Sequence, residues 1–194
     1  SPDNRTLILG LSSGQALIFK HDYRISYPND IRVITPRVTF PSGESLIDIE
    51  EHALSHVALR DGEELMTIVT VSQKDKLSIT RFTKEEDFLS GEVVLEEEKV
   101  ETNFETARIS DIALDSSQRW LFFTENDTSL RVVDLRADQP GIVDSFEHSG
   151  DTRFSSITFL LGGRSLLTAD TRGNIGQWFM ARGNERKWSL QAVR

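Results

Sequence analysis

Residues 147–179 read EHSGDTRFSSITFLLGGRSLLTADTRGNIGQWF. Apolar residues recur at Phe154, Ile157 and Phe159, and a Gly162-Gly163 turn follows. Leu166 and Leu167 open a second run, and a polar turn through Asp170, Arg172 and Gly173 leads into a third, Ile175 to Phe179. Short strands at regular spacing, joined by glycine-bearing turns, predict an antiparallel β-meander.

The same pattern recurs upstream. Ile109 to Leu114 matches Phe154 to Phe159, and Leu130 matches Ile175, both at an offset of 45 residues. Trp120 to Thr124 is then a second strand, and Ser129 to Leu135 a third. One unit earlier come Leu54 to Leu59, Leu65 to Val71 and Leu77 to Phe82, with an extended acidic segment over Gly91 to Glu101 as a fourth strand. The opening residues fit only the back half of the pattern, with strands at Thr6 to Leu11 and Gln15 to Lys20. A further strand lies between Arg24 and Phe40, where Pro28, Pro36 and Pro41 confine it to an edge. Thr83 to Leu89 reads as a loop or a short helical turn, with Thr83 as N-cap and Glu86 three residues on.

The units run approximately over 6–40, 54–101, 109–146 and 154–193, the last closing on an outer strand from Lys187 to Val193. About three and a half four-stranded units at this period place the chain among all-β propellers, as a single-domain fragment, a partial propeller or open arc. An arc leaves unpaired β edges exposed and invites edge-mediated homo-association.

The 194 residues carry a net charge of −9 and no cysteine. Disulfides, thiolate metal sites and cysteine nucleophiles are thereby excluded. An acidic surface repels phosphate backbones and anionic membranes, so nucleic acid is not an expected partner. No apolar stretch approaches the roughly 20 residues of a membrane helix. The chain opens without a methionine and runs straight into a strand-like segment, as an excised or processed piece would.

His-Ser at 148–149, two strands, a polar turn and a late third-strand tryptophan resemble a WD40-type repeat. In that family a histidine before the first strand joins a structural network reaching the tryptophan. The resemblance gives these places to His148 and Trp178, with Arg172 standing where the network's aspartate belongs. In the preceding unit Asp127 takes the aspartate position and Asp134 the family's terminal aspartate, while Val133 replaces the tryptophan. His148, Trp178, Asp127 and Asp134 are therefore expected to stabilise blades rather than to catalyse.

Little else suggests chemistry. His52 and His56 would share one helix face as a zinc pair, but in a strand they lie roughly 13 Å apart. The acidic runs Glu50-Glu51, Glu63-Glu64, Glu85-Glu86-Asp87 and Glu96-Glu97-Glu98 suit solvated loops and protected strand edges better than a catalytic pair. Gly10-Leu11-Ser12-Ser13-Gly14 has the look of a nucleophile elbow but lies in a strand-to-strand turn. Neither an enzyme, nor a cofactor, nor a metal site is expected.

Leu7 to Gly14, Arg119 to Phe122 and Gly183 to Arg194 together resemble the soluble insert of large proteobacterial phosphate ABC transporter permeases. That resemblance implies a non-catalytic, WD40-like periplasmic domain of a bacterial inner-membrane protein. Such a domain would reach the membrane only through other parts of its parent chain. Its partners would be the phosphate-binding protein or other transporter subunits. Two alternatives stay open, a cytoplasmic WD40-type scaffold and a hydrolytic propeller enzyme.

Overall fold

The computed structural model describes residues 5–39, 46–49, 51–86, 88–89, 93–148, 151–160, 162–180 and 188–192. Its strands form four antiparallel sheets that follow one another along the chain. The first holds β1 (Thr6–Gly10), β2 (Gln15–Ser26), β3 (Val33–Thr39) and β4 (Leu46–Asp48), the last two both paired with β2. The second runs β5 (Leu54–Asp61), β6 (Leu65–Ser72), β7 (Leu77–Glu86) and β8 (Val93–Val100). The third runs β9 (Ile109–Leu114), β10 (Trp120–Glu125), β11 (Ser129–Asp134) and β12 (Gly141–Glu147). The fourth runs β13 (Phe154–Phe159), β14 (Ser165–Asp170), β15 (Ile175–Met180) and β16 (Trp188–Ala192). Lys187 and Val193, expected at the ends of the last strand, lie outside the described residues, as do Gly91, Glu50, Asp87 and Pro41.

Strand alternation sends successive side chains to opposite faces, so each inner sheet is apolar twice over. In β10, Leu121 and Phe123 pack toward the second sheet against Val69, Val71 and Ile79. Phe122, between them in sequence, packs toward the fourth sheet against Ile157, Leu166 and Trp178. All three β10 side chains are fully buried. A third cluster joins Ile8 and Ile18 of the first sheet to Leu59, Met66, Ile68 and Phe82 of the second.

Backbone hydrogen bonds repeat at each junction. The turn after the second strand donates back to the residue just before its own sheet's first strand: Gln73 to Ala53 at 2.8 Å, Asn126 to Arg108 at 2.8 Å, Thr171 to Arg153 at 2.9 Å. The corresponding turn also accepts from the first strand of the next sheet. Leu54 N–H donates to Leu11 O at 3.2 Å and Phe154 N–H to Asp127 O at 2.7 Å. Ile109 N–H donates to the Asp75 carboxylate at 3.0 Å. Asp75 and Asp127 sit at φ 60°, a left-handed conformation that aspartate tolerates better than most residues. Each turn thus closes its own sheet and holds the start of the following one.

Two hairpins outrun their sheets. β2 continues past the end of β1 to pair with β3, where Pro36 lies opposite Tyr23 on the edge strand. The connecting 3-10 turn, Pro28–Asp30, is the only helical element among the described residues. β7 runs through Glu86 paired with β8, so Thr83 to Glu86 is strand, and the capping-box reading of that stretch is corrected. Cross-strand pairing with Val93 to Glu96 outweighs the local helical signal there.

Candidate functional site

The fourth sheet gathers a polar network. His148 Nδ1 lies 2.6 Å from Thr152 Oγ1, its Nε2 lies 3.3 Å from Asp170 Oδ2, and its ring meets Phe154 edge-on at 4.9 Å. Trp178 Nε1 donates to Thr168 Oγ1 at 3.0 Å, and its ring packs on Phe146 at 4.5 Å. The histidine's carboxylate partner is Asp170, at the end of β14, and not the position of Arg172. Arg172 instead donates its backbone N–H to Asp170 Oδ1 at 2.9 Å. Asn174 adds its own N–H and its side-chain amide, each at 2.9 Å. The Asn174 side chain, then the turn's N–H groups, hold the Asp170 carboxyl below its ordinary range against the opposing effect of burial.

The N–H groups of Arg172, Gly173 and Asn174 thus all go to Asp170 and that of Thr171 to Arg153 O, which leaves this turn no nest of N–H groups for an anion.

The third sheet is held differently. Asp127 forms a long ion pair with Arg108 at 3.5 Å, and its carbonyl receives Phe154. Asp134 receives Arg119 through two of its three guanidinium nitrogens, Nε at 3.0 Å and Nη2 at 2.6 Å, while Arg136 N–H adds a bond at 3.0 Å. Burial alone would raise the Asp134 carboxyl, but Arg119 and Arg136 outweigh it and hold it low. The Arg119 guanidinium also lies 4.6 Å over the Trp120 ring. Glu125 receives Arg131 Nε at 3.0 Å and Ala107 N–H at 2.9 Å. Trp178 therefore lies in the fourth sheet, while His148 follows β12 of the third and reaches across to Asp170, and Asp127 and Asp134 belong to the third sheet's turn and strand.

Among the described residues, clefts lie between the first and second sheets and between the second and third. In the first, of about 560 Å³, Asp61 receives Lys84, Lys20 at 3.1 Å and Thr6 at 2.5 Å. Burial pushes this carboxyl up, and the two lysines and Thr6 more than reverse that. Arg5, Lys20 and Lys84 are balanced there by Asp22, Asp61 and Glu63. The second cleft, of about 390 Å³, sets Arg81 and Lys99 against Glu98, Glu101 and Asp138. Neither has the positive excess that a free anion requires. Sequence reading missed the Asp61 cluster because its members lie on four different strands or turns.

His56 lies in β5 beside Ser55, its Nδ1 3.1 Å from the hydroxyl, and His52 precedes that strand. Among the described residues no group of three His, Asp or Glu side chains could hold a metal ion.

No protein-family model matches the sequence. No curated protein matches it. Solved structures do. The β-propeller domain of Myceliophteria thermophila Cps50 (Swd1) superposes over 97% of this chain with a TM-score of 0.59 at 12% identity. Kluyvelomyces marxianus Hsv2 superposes over 98%, also at 0.59, with 16% identity. The fold is a WD40-like β-propeller arrangement, and its four unclosed sheets fit a partial propeller. The chain spans 54% and 58% of the lengths of these two structures.

Proposed function

We propose that this chain is a non-catalytic protein-interaction platform. It serves as the periplasmic domain of a phosphate ABC transporter permease in the bacterial inner membrane, docking the phosphate-binding protein or another transporter subunit. The observation that carries the platform reading is the pair of projecting hairpins with apolar tips. Tyr27 and Ile31 are 65% and 64% exposed at the end of β2–β3, and Phe88 and Leu89 are fully exposed at the end of β7–β8. Large apolar side chains exposed at the turns of paired hairpins suit capture of a protein surface. Charge-balanced or acidic clefts disfavour a role in holding phosphate itself. The transporter setting is supported by the sequence resemblance and by an acidic surface that stands away from anionic lipid.

Titration calorimetry against a phosphate-binding protein from the same source tests the docking. Phe88→Ser/Leu89→Ser with Tyr27→Ser is expected to weaken binding at least tenfold; no binding by the unaltered chain would end this choice of partner. The reading frame around the segment tests the setting. Membrane helices on both sides are expected, and polar flanks carrying more repeats would overturn it.

A further inference from the structure

The outer strands of the four sheets differ in what their free edges offer. β3 carries Pro36, which has no N–H to give. β12 shifts register against β11 between Val132 and Val133, and such a bulge blunts an edge. β16 spans five residues. β8 spans eight and pairs with β7 without a register shift, from Ile79 opposite Val100 to Glu86 opposite Val93. Among the described residues no strand lies along its other side. The sheets on either side of the second both belong to this chain, so β8 does not sit at an end of the arrangement. Its row of outward N–H and C=O groups is a template for one more strand.

The side chains of residues 94–99 are all exposed. Val94 and Leu95, each about half exposed, form an apolar pair on one half of the strand. Glu96, Glu97 and Glu98 fill the other half, and among the described residues no hydrogen bond or ion pair engages their carboxylates. β12 is different, since its Glu147 receives Ser129 Oγ at 2.6 Å and lies 3.8 Å from Arg131. Two cations of β7 are already engaged elsewhere. Lys84 donates to Asp61 and to Gly62 O, and Arg81 to Leu135 O. Full-length antiparallel pairing of two β8 strands would set Glu96 against Glu97 twice and Leu95 against Glu98. Like charges directly opposed destabilise such a pair, so the edge rejects a second copy of itself while favouring positive charge.

We propose that β8 takes up an extended segment of a partner protein as an antiparallel fifth strand, with basic residues opposite Glu98, Glu97 and Glu96 followed by aliphatic residues opposite Leu95 and Val94. This rests on the platform reading above and gives the partner a chemistry. Main-chain hydrogen bonds to the edge supply the attachment, and the order of side chains supplies the selection. The antiparallel direction continues the pairing of the sheet itself and sets each cation directly opposite a glutamate.

Fluorescence anisotropy of a labelled peptide of sequence Thr-Lys-Arg-Lys-Ile-Val-Thr, titrated with the 194-residue chain, tests this. Saturable binding that weakens with added salt is expected. Glu97→Lys is expected to weaken it by about tenfold or more, and Glu96→Lys takes its place should that variant lose the far-ultraviolet β signal. Methylating alternate peptide nitrogens separates a paired strand from a mere cation. One alternate set is expected to abolish binding, and the other to leave it within about twofold. Phe88→Ser/Leu89→Ser leaves the β8 edge whole and is expected to bind the peptide as before; a loss there would place the peptide on the hairpin tip and overturn the edge. The proposal is equally overturned by no binding, by equal binding of a scrambled peptide of the same composition, or by indifference to both methylated sets. Should the peptide fail while the tip substitutions still weaken docking of the folded partner, the edge alone has failed and the platform reading stands.

Discussion

Around the fourth sheet, His148 pairs with Asp170 and Trp178 pairs with Thr168. Forty-five residues earlier the same places hold Asn103, Phe123, Glu125 and Val133. The tryptophan and the threonine that accepts its N–H have been exchanged together for two fully buried apolar residues. Phe123 stacks on Phe104 instead, 6.0 Å between ring centres. The carboxylate survives as Glu125 but turns to Arg131 and to the Ala107 N–H. A half-kept pair would leave a buried donor or acceptor without a partner, at about 1–3 kcal/mol, so the tryptophan and its threonine are kept together or replaced together. One backbone plan thus tolerates two chemistries, provided that each is complete.

Four substitutions break or sharpen this contrast. Phe122→Ala strikes the junction that both sheets share and is expected to lower unfolding free energy by about 3–5 kcal/mol, measured as a lower urea midpoint. Trp178→Phe strikes the fourth sheet alone, leaving Thr168 Oγ1 without its donor; about 1–3 kcal/mol is expected from the orphaned group. Adding Thr168→Val to it should then cost less than that valine costs alone, and strict additivity in the double-mutant cycle would show that the pair is not coupled. Asp134→Asn strikes the third sheet alone, where the pair with Arg119 is part-exposed, and about 1 kcal/mol or less is expected.

Acid sharpens the comparison further. Asp61, Asp134 and Asp170 all have carboxyls held below their ordinary range. The unfolded chain therefore binds more protons at low pH than the folded one, and stability rises with pH there. Their contribution is whole above the unfolded value of about 3.9 and is lost as pH falls below it. Asp134→Asn should flatten the acid limb of a stability–pH curve, and an unchanged slope would remove Asp134 from the account.

The sheets were legible in the sequence because alternation and the 45-residue offset are local signals. Leu130 to Ile175 and Ile109 to Phe154 sufficed to align two of them. Asp170 was not legible as the histidine's partner. Aligning the turns placed that carboxylate at Arg172, opposite Asp127, whereas the structure uses the last residue of β14. Asn174 four residues on, whose amide and N–H both reach Asp170, was a signal that could have marked it. The hairpin through Thr83 to Glu86 was hidden by a capping-box pattern, since its strand state depends on cross-strand partners at Val93 to Glu96. Thr6, Lys20, Asp61 and Lys84 meet only after two sheets have packed.

The repeated turn has a meaning for heredity as well as for structure. Because each turn both closes its own sheet and receives the next strand, a stretch of about 45 codons, copied in frame, would arrive with both halves of the junction already in place. A ring built this way can gain or lose a member by duplication or deletion without any neighbour having to evolve a new contact. The paired loss of tryptophan and threonine in one sheet and their retention in the next is the kind of divergence that such copies accumulate afterwards, each drifting under its own packing.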